Sequence, residues 1–122
     1  SGRALFHCYR DLIALSRESA AIRSRNIEIL YTHDENRIVA FRRWERNEDI
    51  VVLASLNERA FADGYRIRHA SLAGLRWQEV FNSDAAAYGG AGMGNGGRAL
   101  QPAVDELNPV LPASGILVFR AA

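Results

Sequence analysis

The chain has 122 residues, 48% of them apolar and 24% charged, with a formal net charge of +1. That composition fits one globular domain able to bury a real core and excludes a disordered polyelectrolyte. All 15 basic residues are arginines scattered among 14 carboxylates, so no basic stripe points to a nucleic acid. No apolar run approaches the roughly 18–20 residues of a membrane-spanning helix, and the start lacks the basic-then-apolar pattern of a signal peptide. The lone cysteine, Cys8, rules out an internal disulfide and fits a reducing, cytoplasmic compartment. The only methionine is Met93, so Ser1 is not an initiation site; Ser1-Gly2 reads as a cloning remnant and the chain as a piece of a longer protein.

Leu5, Phe6, Tyr9, Leu12, Ile13 and Leu15 recur at three- and four-residue steps, with charged residues largely between them. This pattern predicts an amphipathic helix over residues 4–22. His7 is read as a side chain of that helix, because Arg10 and Asp11 stand where a second metal ligand would be needed. Two runs follow, 27–32 and 37–44, around the turn His33-Asp34-Glu35-Asn36, and predict a hairpin. Neither face of 37–44 is cleanly polar, so partial cover on both sides is expected. Residues 50–56 form a continuous apolar run, the mark of a central buried strand. Residues 65–68 alternate and should have one wet face. Residues 75–81 alternate too, placing Leu75, Trp77, Glu79 and Phe81 on one face. Residues 99–104 predict a weak strand that Pro102 confines to an edge or bulge, and 115–120 a last buried strand. Short strands separated by turns point to an antiparallel β-sandwich.

Between the last strands lies Tyr88-Gly89-Gly90-Ala91-Gly92-Met93-Gly94-Asn95-Gly96-Gly97, nearly free of side chains. Its Gly92 to Gly97 portion satisfies G-x-G-x-x-G, but a dinucleotide site needs a helix next, and Pro102 argues against one. A P-loop is excluded because its lysine is missing. The adjacent acids Asp34-Glu35, Glu48-Asp49 and Asp105-Glu106 cannot face one bond across a cleft as a glycosidase pair must, and are read as solvated turn residues. His7, His33 and His69 are dispersed, and no local motif joins them to a nucleophile. No cofactor or metal site is expected.

At residues 74–97 a family pattern emerges. Gly74-Leu75-Arg76-Trp77-Gln78-Glu79-Val80-Phe81-Asn82-Ser83-Asp84, followed by Tyr88-Gly89-Gly90-Ala91-Gly92-Met93-Gly94-Asn95, resembles the C-terminal β domain of 1,4-α-glucan branching enzymes of the α-amylase superfamily (glycoside hydrolase family 13). The stretch from Phe6 to Arg17 is similar to the last helix of the α-amylase-type (β/α)8 barrel, and 38–43 and 50–54 to the first strands of the β domain. The likeness spans nearly the whole chain. It departs at Ser55, where relatives often carry asparagine, and at Ala91, where they often carry serine.

The resemblance implies a fold: residues 1–25 as the last helix of a missing catalytic barrel plus linker, and 26–122 as a mainly β, antiparallel sandwich. It also implies a role. The parent enzyme would transfer α-1,4-glucan segments to 6-hydroxyls in glycogen or starch biosynthesis, and this domain would brace the barrel. Catalytic groups of such barrels sit at strand ends absent here, so no catalytic residue is carried over and the chain alone is expected to be inactive. The candidates for glucan contact are Trp77, Tyr88, Asn95 and Trp44. The alternatives are the C-terminal domain of another α-amylase-type enzyme and a self-sufficient glucan-binding module. A helix parted from its barrel should either fold onto the sheet or drive a homodimer.

Overall fold

In the computed structural model, structure is described for Arg10, Asp11, Ala14 and residues 17–122. The helix expected over 4–22 therefore falls mostly outside the described residues, as do His7 and Cys8. Arg17 and Glu18 have helical backbone, and the chain turns away between Ser19 and Arg23, short of the expected end at Ile22.

Eight strands follow: β1 (Ile27–His33), β2 (Ile38–Glu45), β3 (Glu48–Ser55), β4 (Ile67–Arg68), β5 (Trp77–Asn82), β6 (Ala99–Leu100), β7 (Glu106–Leu107) and β8 (Gly115–Ala121). Six of them form one antiparallel sheet in the order β1-β2-β3-β8-β5-β6, while β4 and β7 pair separately. The β-branched and aromatic content of β1, β2, β3 and β8 suits a half-buried pleated surface. β3 lies between β2 and β8, as its unbroken apolar run requires.

The main core lies between one face of the large sheet and the β4–β7 layer with its connections. Ile38, Ala40, Val51, Leu53, Trp77, Leu117 and Phe119 meet Ile67, Leu72, Leu107 and Leu111 there. Fully burying such a side chain contributes about 1.5–3 kcal/mol. Tyr65 and Ile67 point into this core while Arg66 and Arg68 are exposed, which is the alternation read from the sequence. On the opposite face of the sheet a smaller cluster joins Ile50, Phe81 and Val118 to Ala21, with Ile22 and Tyr88 against it. The segment entering the sheet thus covers part of that second face.

Two sequence expectations need correction. Phe81 does not share a face with Trp77 and Glu79. Glu79 pairs with Phe119, but Phe81 pairs with Val118, because a bulge at Val80 inserts one residue. With a two-residue side-chain period, that insertion turns Phe81 to the other side. The predicted strand over 99–104 is likewise shorter. β6 ends at Leu100 on the sheet's edge, where Pro102 is tolerated, and the chain turns at Val104 into β7 of the other layer.

Candidate functional site

The glycine stretch has almost no side chains, so its backbone amides must find acceptors elsewhere. The preceding strand and turn supply them. Glu79 sits on the core-facing side of β5 and is only 7% exposed. Its Oε2 accepts from the backbone N–H of Asn95 at 2.9 Å and from Asn95 Nδ2 at 2.8 Å. Its Oε1 accepts from the Gly97 N–H at 3.1 Å. Asp84 receives the N–H of Met93 at 2.9 Å and of Ala91 at 3.3 Å on its two carboxylate oxygens, and its main-chain oxygen receives Gly92 N–H at 2.7 Å. Asn82 donates Nδ2 to the Met93 carbonyl at 3.1 Å, and its Oδ1 accepts from the Asp84 N–H at 2.8 Å. Ser83 Oγ accepts from the Ile116 N–H at 2.8 Å, tying the turn to β8.

Asn95 completes the clamp. Beyond Glu79, its Nδ2 donates to the Val110 carbonyl at 3.1 Å and its Oδ1 accepts from the Val110 N–H at 2.9 Å. The loop is thereby fastened to β5 on one side and to the connection before β8 on the other. Glycine is required at Gly94 by space: a Cβ there would lie 2.1 Å from Asn82 Nδ2. At Gly90 it would lie 2.2 Å from the Asp84 carbonyl oxygen. Side chains at either position would force these anchors apart. After the loop comes β6, not a helix, so the G-x-G-x-x-G match lacks the helix N-terminus that binds a pyrophosphate.

The four residues proposed for glucan contact separate in the structure. Trp77 is fully buried in the main core, and its indole N–H donates to the Leu72 carbonyl at 3.1 Å. It has no free face for a sugar, and that expectation is withdrawn. Asn95 is half-buried, with both ends of its amide engaged in the loop clamp. Tyr88 is half-buried, its ring 5.7 Å from that of Phe81 and its hydroxyl donating to Asp11 Oδ2 at 2.6 Å. Trp44 is half-buried, with the Arg42 guanidinium 4.4 Å above its ring. Trp44 and Tyr88 are placed in different parts of the sheet, on β2 and beyond β5.

Of the paired acids, Asp34 and Glu35 are exposed in a turn as expected, whereas the other two pairs are better engaged than solvated turn residues. Asp49 takes a bidentate pair from Arg42, both contacts at 2.8 Å, and Glu28 joins that group at 3.6 Å while accepting from Ser71 at 2.7 Å. The Ser71 hydroxyl, with the nearby His69 and Arg42, holds the Glu28 carboxyl below its ordinary range, and the Asp49 bonds raise that of Arg42. Asp105 and Glu106 face Arg68 at 3.0 Å and Arg66 at 3.2 Å. Glu48 accepts from the Ser19 hydroxyl and from the Ala21 N–H, the latter at 3.0 Å. Burial works to raise its pKa, but these hydrogen bonds and the Arg120 charge outweigh it and leave it lowered. His33 and His69 each accept a backbone N–H on Nδ1, from Asn36 and Ser71, and so close turns. Tyr31 is pushed up to about 12 by burial and by its 2.6 Å contact with the Tyr65 hydroxyl. Among the described residues, no three His, Cys, Asp or Glu side chains are grouped to hold a metal. No helix among them is long and apolar enough to cross a membrane.

Glu79 was not singled out from the sequence as a loop anchor. A signal was present: an acid on the apolar face of a strand, followed by a loop rich in unpaired amides, marks a donor set looking for acceptors. Where Ala91 departs from the serine common in relatives, its backbone N–H still reaches Asp84. Ser55 is buried, and its Oγ accepts from the Asn57 N–H at 3.3 Å.

A family described as "Alpha amylase, C-terminal all-beta domain" matches residues 30–122. The 1,4-alpha-glucan branching enzyme of Rhodopseudomonas palustris is 37% identical over 114 residues, covering 84% of this chain and 15% of that protein. A branching enzyme of Xanthomonas oryzae pv. oryzae is 48% identical over 91 residues, covering 69% of this chain and 12% of the relative. The chain thus spans about an eighth to a seventh of the length of these relatives. Among solved structures, an alpha-amylase from H. orenii superposes with a TM-score of 0.62 at 26% identity, over 97% of this chain and 20% of that one.

Proposed function

The chain belongs to the family of alpha-amylase C-terminal all-β domains, and from that premise we propose that it is the non-catalytic accessory domain of a cytoplasmic 1,4-α-glucan branching enzyme. The parent would cleave an α-1,4 glucan and pass the segment to a 6-hydroxyl, and this domain would brace the catalytic barrel. Residues 1–25 would be the barrel's last helix and its linker. The observation that carries the reading is the 37% identity to one branching enzyme over 84% of this chain and the 48% identity to another over 69% of it. The loop's anchors point the same way. Glu79, Asn82, Asp84 and Asn95 are all spent on holding backbone in place, which is the chemistry of a rigid support.

The test is direct. Purified chain incubated with amylose should leave the iodine colour and the reducing ends unchanged, while the full-length protein lowers the colour by forming branches. Turnover by the 122-residue chain alone would overturn the accessory assignment. A full-length protein that hydrolyses without branching would shift the parent to another α-amylase-type enzyme.

A self-sufficient glucan-binding module would need aromatic faces free at the surface. With Trp77 in the core, Trp44 and Tyr88 are the aromatic candidates that remain. Saturable quenching by maltoheptaose that disappears in Trp44→Ala would favour the module over the brace. For the N-terminal segment, the contacts of Asp11, Ser19 and Ala21 with the domain support folding back onto the sheet. Sedimentation across a concentration series distinguishes this from a homodimer.

A further inference from the structure

Asn95 is the one asparagine of the chain that a glycine follows. In an Asn-Gly pair no side chain crowds the glycine nitrogen, and it can close on the asparagine side chain when that side chain swings toward it. Asn95 and Arg98 bound a turn here, with the Arg98 N–H donating to the Asn95 carbonyl at 3.1 Å and Gly96 and Gly97 at its tip with φ 65° and 70°. Gly96 is exposed, and its N–H has no acceptor among the described residues. The Asn95 side chain is held elsewhere. Its Nδ2 donates to Glu79 Oε2 at 2.8 Å and to the Val110 carbonyl at 3.1 Å, and its Oδ1 accepts from the Val110 N–H at 2.9 Å. An open hollow of about 340 Å³, lined by Gly94, Asn95, Gly96, Arg98 and Val110 among others, brings water to the pair. The other asparagine followed by a small residue is differently placed: the N–H of Ser83, next to Asn82, is already spent on the Ile116 carbonyl at 3.0 Å.

We propose that Asn95 is a site of spontaneous covalent modification, deamidation through a cyclic imide, which the Glu79 and Val110 clamp holds shut and whose products keep the loop from closing again. The Gly96 nitrogen gives up its proton and bonds to Asn95 Cγ. The Cγ–Nδ2 bond breaks, and the nitrogen leaves with that proton as ammonia. Water then opens the imide: attack at Cγ gives aspartate, and attack at the Asn95 main-chain carbonyl gives isoaspartate. While the clamp is closed, Cγ cannot turn toward Gly96 without breaking the three side-chain hydrogen bonds to Glu79 and Val110. Glu79 also accepts the main-chain N–H of Asn95 and of Gly97, so one carboxylate fixes the backbone on both sides of Gly96. Reaction therefore waits for a local opening of the loop. Either product replaces the Nδ2 donor with a carboxylate oxygen. It has no hydrogen to offer Glu79 or the Val110 carbonyl, and it sets a second negative charge where a 2.8 Å hydrogen bond to Glu79 stood. Glu79 is 7% exposed, so little water is at hand to screen that repulsion.

The test follows conversion at Asn95 by peptide mapping, which separates asparagine, aspartate and isoaspartate, in the chain held folded in buffer and unfolded in guanidinium chloride. Unfolded, Asn95 should convert ahead of every other asparagine and yield isoaspartate as well as aspartate. Folded, it should convert about tenfold or more slowly. Equal rates in the two states, faster conversion at Asn82, or aspartate as the sole product would overturn the proposal. Glu79→Gln, checked for folding by near-ultraviolet circular dichroism, should speed conversion in the folded state by about tenfold; an unchanged rate in the folded variant would remove the clamp from the account. A measurement on the unsubstituted chain serves if that variant does not fold. The slowing of deamidation on folding should match the hydrogen-exchange protection of the Asn95 and Gly97 amides, which share Glu79. Slowing as large as the greater protection of the β3 amides would assign it to the fold as a whole and overturn the role of the clamp. Asn95→Asp stands for one product: it should lower the urea midpoint and strip protection from the Gly97 amide, and a variant that keeps both would refute the claim that the loop cannot close again.

Discussion

Replacing Glu79 by glutamine probes the internal bracing of the loop. The carboxylate accepts three N–H groups: two from Asn95 on Oε2 and one from Gly97 on Oε1. Glutamine keeps the shape and one oxygen. Its most favourable orientation leaves that oxygen on the Asn95 pair and turns the NH2 toward the Gly97 N–H, so two donors face each other. Hydrogen bonds to a charged acceptor contribute about 1.5–3 kcal/mol, and Gly97 is exposed, so water can meet the N–H that loses its acceptor. The Gly97 end borders a loop that can relax, which favours the lower part of that range, and Glu79→Gln should lose about 2 kcal/mol. For a domain of this size that corresponds to about 5–10 °C in melting temperature. Urea unfolding followed by tryptophan fluorescence gives the free energy, and hydrogen exchange gives the site. The Asn95 and Gly97 amides should lose protection before the strand amides of β3 do. A variant within about 0.5 kcal/mol of the parent chain, the scatter of neutral surface substitutions, with unchanged exchange at both amides would refute this account of the loop.

Gly94→Ala places a methyl 2.1 Å from Asn82 Nδ2 and should destabilise the domain by about 1–3 kcal/mol, read from the same urea curves. Glu48 has its pKa lowered in the folded chain, so the stability it contributes is present above its ordinary value of 4.5 and is lost as pH falls through the folded value. Glu48→Gln should flatten the acid limb of the stability profile and speed exchange of the Ala21 amide, which donates to that carboxylate. Tyr31 is raised to about 12, so its contribution is whole below pH 10 and declines between there and about 12. An ultraviolet titration should show a late-ionising phenol that Tyr31→Phe removes.

Much of this architecture can be read from side-chain periodicity, and the reasons are local. The unbroken apolar run of β3 suits a strand with neighbours on both edges, and β3 lies between β2 and β8, with Val51 and Leu53 in the main core and Ile50 in the smaller cluster on the opposite face. Tyr65 to Arg68 alternate because one side meets the core and the other water. Pro102 has no N–H to give a ladder, which keeps β6 short and at the edge. The glycine loop was recognisable as a family marker, and the absence of a following helix as an argument against nucleotide binding.

The misread positions share a cause. Trp77 looked like a sugar platform because an indole suits a core and a glucan surface equally well, and nothing in β5 alone says that Leu72 will cap its N–H. Phe81 changed sides through one inserted residue, which alternation cannot register when the bulged residue is itself apolar. Two of the three acid pairs read as solvated turns found arginines distant in the chain, Asp105 at Arg68 and Glu106 at Arg66 among them.

Composition and periodicity, then, were enough for the class of fold, the central strand, the edge and the loop, because each follows from a residue's own geometry or its near neighbours. The clamp of Glu79 and Asn95 and the burial of Trp77 depend on which distant segments meet. Those meetings are set by packing two layers and an entering segment around one sheet, a long-range outcome that no single stretch of the chain encodes alone.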